Sequence, residues 1–97
     1  MDREELNAET AKIYWKEVET FFANGTVIYV SSELDLIDVA LDICLDNKLK
    51  VQQWMSGNLI NKVSDQQALE WLSGDTVLWS VVVKPWVLVQ PIKDSSL

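Results

Sequence analysis

Four aspartates, Asp35, Asp38, Asp42 and Asp46, follow one another at spacings of three, four and four residues, which on a helix stacks their carboxylates along one face. Carboxylates stacked in this way are oxygen ligands of the kind that hold hard divalent cations such as Mg²⁺ or Ca²⁺. The stripe lies opposite the apolar side of its own segment, however, and no calcium loop with a central glycine surrounds it. A solvated helix face accounts for it, and no metal ligand is assigned. Cys44, the single cysteine, is the one candidate nucleophile of the usual kind. The chain contains no histidine, which removes the customary general base, the imidazole metal ligand and every Ser-His or Cys-His pair. Cys44 also falls on the apolar side of its segment, where a thiol packs as a small hydrophobe. An enzyme built from this chain would have to work with carboxylates, with Lys84, or with a tyrosine such as Tyr14 or Tyr29. Lys48, Lys50, Gln52 and Gln53, on the second of two helices joined at Asp46-Asn47, have the residue types that contact phosphates and base edges in a helix-turn-helix. There the preceding row of aspartates would face the phosphates, and no glycine marks the turn.

The elements that must position these groups are legible from periodicity and caps. The spacing predicts a long helix from about Asn7 to Ala23, with Ala11, Tyr14, Trp15, Val18, Phe21 and Phe22 on one face and Glu9, Lys12, Lys16 and Glu19 on the other. Leu6 and Ile13 fall off that main face and are secondary contact candidates. Asn24-Gly25 ends the helix, and Thr26 to Val30 reads as a strand. Ser32 with Asp35 suggests a second helix over Glu33 to Leu45, facing inward with Leu36, Ile37, Ala40, Ile43 and Cys44. A third is predicted over Lys48 to Ser56, presenting Val51, Trp54 and Met55 and stopped by Gly57. Leu59 to Val63 forms a brief strand, and Ser64 with Gln67 has the capping-box spacing that starts a fourth helix over Asp65 to Ser73.

The remaining apolar run, Thr76 to Gln90, is β-branched and aromatic and is interrupted once, at Lys84-Pro85. Extended at ~3.3 Å per residue it would reach about 46 Å, whereas a domain of this length has a radius of gyration of about 12.5 Å and measures roughly 32 Å across. The run therefore folds back or projects toward a partner, and Pro85 admits a cis-proline turn, a bend in one strand, or an edge strand that leaves the domain. Trp79, Val81 and Val83 share one strand face while Leu78, Ser80 and Val82 share the other, so both faces are largely apolar and both need cover. With helices covering one face, the other needs either the bent-back segment or another subunit; a second subunit is the expectation, and a central hairpin of a monomer core is the alternative. Trp79, Val81, Val83, Trp86, Val87 and Val89 are the interaction residues this predicts, in a homodimer formed by face packing or strand addition.

The sequence, 97 residues with 48% hydrophobic content, is expected to form a single domain over 1-97, with an ordered core of about 7-92 and a polar tail at 93-97. Helices and short strands mixed in this order suggest an α+β fold: a small, mostly antiparallel sheet with about four helices packed on one face. Net charge is −7 and uneven, with eleven acids against three bases in residues 1 to 46 and four against five thereafter. An acidic half and a near-neutral half argue against nucleic acid and against anionic membranes as partners. No apolar stretch reaches the length of a membrane span. The start, MDREELNAET, is unlike a secretory signal, and a lone cysteine agrees with a reducing compartment, so a cytoplasmic protein is expected.

Glu9-Thr10-Ala11-Lys12 with Trp15, Leu34-Asp35-Leu36 with Val39-Ala40, Lys62-Val63-Ser64-Asp65 with Trp71, and above all Lys84-Pro85-Trp86-Val87-Leu88-Val89-Gln90 carry a resemblance over about Asn7 to Gln90. The chain resembles a family of small bacterial proteins catalogued only as a domain of unknown function. The resemblance implies a cytoplasmic, stand-alone bacterial protein and brings no activity, cofactor or catalytic residue with it. The reading that results is a non-enzymatic self-associating or adaptor module that works through its C-terminal strands. A small enzyme or ligand-binding protein using carboxylates or Lys84 is the alternative, and a helix-turn-helix-like DNA binder a lesser one.

Overall fold

The apolar C-terminal run turns back on itself. Val77–Val83 and Trp86–Pro91 form an antiparallel hairpin in which Val83 faces Trp86 and Ser80 faces Val89, joined through a cis Lys84-Pro85 bond. Of the three readings of Pro85, the structure adopts the cis-proline turn. The structure, a computed structural model, describes residues 3–92, so the polar tail at 93–97 lies outside the described residues. The radius of gyration is 12.8 Å and the extents are 35 × 26 × 26 Å, close to what chain length alone predicts.

In chain order the elements are α1 (Arg3–Glu9), β1 (Ala11–Tyr14), α2 (Trp15–Ala23), β2 (Val27–Val30), α3 (Leu36–Cys44), α4 (Lys48–Ser56), β3 (Ile60–Lys62), α5 (Asp65–Ser73), β4 (Val77–Val83) and β5 (Trp86–Pro91). The five strands form one sheet in the order β1-β4-β5-β2-β3. Its pairings are antiparallel except between β2 and β5, which run parallel, so the fold is α+β with a mixed, mostly antiparallel sheet.

The helices do not gather on one face, as the sequence suggested. Leu6 of α1 and Leu36, Ile37, Val39 and Ala40 of α3 pack with Val30, Ile60, Val81, Val83 and Leu88 on one side of the sheet, with Val51 and Trp54 of α4 against them. Trp15 and Val18 of α2 and Ala68 of α5 pack with Val27, Leu78, Val87 and Val89 on the other, where the Trp15 ring lies 5.1 Å from that of Trp71 and 5.4 Å from Phe22. Both faces of a doubly apolar hairpin are thus covered by the chain's own helices. Leu6 and Ile13, expected at a secondary contact, are instead a fully buried core residue and a half-buried one, on opposite sides of the sheet.

The long first helix is the other correction. Thr10 closes α1 by donating both its N–H and its hydroxyl to the Leu6 carbonyl, at 3.1 and 2.7 Å. Ala11 to Tyr14 then pair with Ser80 to Val77 as an edge strand, and the helix restarts at Trp15, where Glu17 accepts the Tyr14 N–H. Pairing with β4 outweighs helical periodicity here, because an unpartnered central strand would leave a row of backbone groups unsatisfied. In consequence Tyr14 and Phe21, placed on the inner face by helical spacing, stay about half exposed. Among the described residues α1 already covers Arg3 to Leu6, ahead of the expected start of the ordered core at about residue 7.

Elsewhere boundaries agree closely. α4 and α5 have the predicted ends, and Ser64 and Gln67 form the predicted capping box. α3 starts three residues later than expected because Asp35, not Ser32, caps it by accepting from the N–H groups of Ile37 and Asp38. After α4 and α5 the left-handed residue is Asn58 or Asp75 and not the preceding glycine, whereas after α2 it is Gly25, at φ 74°. No described helix is long and apolar enough to cross a membrane.

A Cβ on Gly25 would meet nothing within 4 Å, so Gly25→Ala tests the backbone alone. It is expected to cost roughly 1–2 kcal/mol in urea unfolding. Gly57→Ala, at ordinary φ and with only van der Waals neighbours, is expected to be neutral or slightly stabilising.

Candidate functional site

The cover over the sheet is least complete at the β2–β3 edge. α4 begins where Asp46, at φ 56°, turns the chain, and Asn47 caps it by accepting the Lys50 N–H. The helix packs on α3 and β3 but buries none of its nine residues fully. Beneath it lies a cavity of about 400 Å³. Its walls are Ile28 and Ile60 from the sheet, Ile43 from the end of α3, Val51 and Met55 from α4, and Trp86 from the start of β5. Ile60 is buried, whereas Ile28, Ile43, Val51 and Trp86 are half-buried. Asp46, Asn47, Lys48, Gln52, Asn61 and Lys62 complete the lining, and all but Asn61 are exposed. Strand register places Lys62 directly opposite Ile28, on the cavity side of the sheet. With two lysines and one aspartate the lining carries +1, in a chain of −7.

The chemistry available there is narrow. The lining includes no cysteine, serine, threonine or tyrosine, and its titratable groups are Asp46, Lys48 and Lys62. The groups on which an enzyme would have to rely are scattered: Lys84 is exposed in the β4–β5 turn, Tyr14 is on the opposite edge of the sheet, and Tyr29 packs on the other face against Trp71, ring centres 6.3 Å apart. Cys44 is half-buried against the core, as its position on α3 predicts.

The predicted interaction residues occupy the interior. Val81, Val83, Val87 and Val89 are 1, 6, 4 and 0% exposed, and β4 and β5 both lie inside the sheet with neighbours on each side. They form the protein's own core and offer neither a face nor an edge to a second copy. The reason is that the second apolar face, which seemed to need a partner, is covered by α2 and α5. Trp79 and Trp86 are half-buried; the Lys12 ammonium sits 5.1 Å from the centre of the Trp79 ring, and Trp86 walls the cavity.

The aspartate stripe dissolves into local roles. Asp35 caps α3, Asp42 accepts from the Asn47 side chain and lies 3.9 Å from the Lys50 ammonium, and Asp46 makes the turn. Among the described residues, no group of three or more acidic or cysteine side chains is placed to hold a metal ion. The helix pair α3–α4 exists, but Lys48 and Gln52 face the cavity while Lys50 is drawn to Asp42 and lies over Trp54 at 5.7 Å.

A second, more open hollow of about 470 Å³ lies where α3 begins, beside Thr10, Glu33, Leu34, Trp79 and Gln90. Gln90 explains this region structurally. Its side chain is buried, and its amide donates to the carbonyls of Ser31 and Leu34 at 2.8 and 2.6 Å, tying β5 to the loop that leads into α3.

A five-stranded mixed sheet between two helical layers, with an apolar cavity at one edge, defines the class of domain. The chain belongs to the family described as "Protein of unknown function (DUF2288)", whose model matches residues 2–91. It is similar to the NMR solution structure of PA1075 from Pseudomonas aeruginosa, with 40% sequence identity, coverage of 95% of this chain and 85% of that one, and a TM-score of 0.84. None of the curated proteins matches it.

Gln90→Leu removes the donors from both loop carbonyls and is expected to cost about 2 kcal/mol in chemical unfolding. Gln90→Glu sets a carboxylate against the same two oxygens, which raises its folded-state pKa. Because the unfolded form then ionises first, the extra penalty relative to wild type sets in as pH rises past about 4.3 and is complete above the folded pKa. A stability difference that does not grow between pH 4 and pH 7 would contradict this.

Proposed function

We propose that this protein is a non-enzymatic binding domain that takes a small, largely apolar molecule in the cavity beneath α4. The supporting observation is the cavity of about 400 Å³ walled by Ile28, Ile43, Val51, Ile60 and Trp86 under a helix that buries none of its own residues fully. Its size falls within the ~300–1,000 Å³ typical of small-molecule sites. Apolar surface left facing such a space gains roughly 25 cal/mol for each Å² that a ligand removes from water. The lining lacks the paired acid, base and nucleophile that catalysis would use, which favours binding over turnover. N-phenyl-1-naphthylamine, a neutral apolar fluorophore, is expected to brighten on binding, and Val51→Trp, which fills the cavity, is expected to abolish the signal while leaving the fold intact by circular dichroism. Undiminished binding to Val51→Trp would place the probe elsewhere, and absent binding to wild type would end the reading.

Self-association is a second reading, moved off the C-terminal strands. Phe21, Leu69 and Leu72 are 46, 64 and 47% exposed on α2 and α5, helices that pack against one another, and Leu69 and Leu72 share one helical face. Light scattering on a sizing column tests it: a wild-type dimer made monomeric by Leu69→Lys with Leu72→Lys supports association through this side. A monomer at every concentration rules it out.

A further inference from the structure

We propose that the ligand of the cavity is an amphipathic carboxylate, an apolar body bearing one anionic head, with the body against Ile28, Ile60 and Trp86 and the head between Lys48 and Lys62. This rests on the binding reading above and adds the chemical class.

Three observations carry it. First, the cavity is apolar at its base and net cationic at its mouth: Ile60 is buried, while Lys48 and Lys62 are exposed there against a single acid, Asp46. Second, the two lysines come from different elements. Lys62 lies opposite Ile28 in the β2–β3 register, so its aliphatic stem runs along the cavity side of the sheet. Lys48 opens α4 directly after the Asn47 cap. Third, among the described residues neither has an ion-pair partner, whereas Lys50, two residues after Lys48, lies 3.9 Å from Asp42. In a chain with fifteen acids and eight bases, two unpaired lysines against the single Asp46 leave the rim of this apolar cavity net cationic. A carboxylate head satisfies both ammonium groups without entering the apolar interior, where an unpaired charge would be costly. A cationic amphiphile meets the same lysines with repulsion, and a neutral one gains nothing from them.

The test is displacement of bound N-phenyl-1-naphthylamine at pH 8 by decanoate, decanol and decylamine, each below its aggregation limit, on wild type and on Lys48→Gln with Lys62→Gln. Decanoate is expected to displace the probe at roughly tenfold lower concentration than decanol, the factor contributed by one charge-assisted contact. Decylamine is expected to be the weakest. In the double variant decanoate and decanol should become equivalent, read as the ratio of their displacing concentrations within that variant, so that any change in apolar contact common to both cancels. Equal displacement by decanoate and decanol in wild type overturns the inference, as does a decanoate advantage that survives the double substitution. In both of those cases the probe still binds and the cavity reading stands; if the probe never binds, the cavity reading itself has failed.

Discussion

The hairpin of β4 and β5 is apolar on both of its faces, and most of the architecture follows from the need to keep both faces out of water. Leu88 and Val89 are adjacent, point to opposite sides and are each 0% exposed. Side chains of this kind contribute roughly 1.5–3 kcal/mol each when fully buried, so a single helical layer would leave much of that stabilisation unrealised. The chain responds with α1, α3 and α4 on one side and α2 and α5 on the other. The parallel pairing of β2 with β5 and the antiparallel pairing of β1 with β4 then remove the hairpin's two open edges. Among the described residues, edges remain at β1 and β3, strands of four and three residues.

Cover is unequal between the two sides. On the α2–α5 side, Trp15, Phe22 and Trp71 interlock as an aromatic cluster and fill the space over the sheet. On the other side α1 and α3 seal the middle of the sheet, and α4, with Leu49 turned outward and Met55 about half exposed, closes over its β3 edge without filling it. The cavity is therefore a consequence of layer geometry: three helices share one face, and the last is held by its ends and by partial contacts of Val51 and Trp54. Lys48 and Lys62 reach its mouth because a helix start and a strand end converge there.

Much of this was open to reading in one dimension. Ser64 and Gln67 announce α5, Asn24-Gly25 closes α2, and the near-continuous apolar run from Thr76 to Gln90 marks strands buried on both faces. These signals are local: a cap, a left-handed glycine and an apolar run depend on neighbours within a few residues. Ala11 to Tyr14 failed that test because the same residues satisfy a helical period, and only the unpaired edge of β4, more than sixty residues away, converts them to a strand. Asp35 was legible as an acid but not as a cap, since its neighbour Ser32 has equal cap chemistry. The cavity left almost no trace, as its walls come from five elements and none of its residues forms a motif.

By itself the sequence determined the class of the fold, the size, the ends of α4 and α5, the absence of imidazole chemistry and the need to cover a doubly apolar hairpin. All of these rest on residue type, short-range spacing or summed composition. Tertiary structure decided what supplies that cover, and so decided that Val81, Val83, Val87 and Val89 are core and not interface. It also decided that the aspartates disperse into a cap, an ion pair and a turn, and that Lys48 and Lys62 meet at one apolar cavity. The physical reason is the same in each case: a local pattern says which face of a segment avoids water, whereas the identity of what lies against that face is set by long-range packing of segments whose patterns are mutually compatible in more than one arrangement.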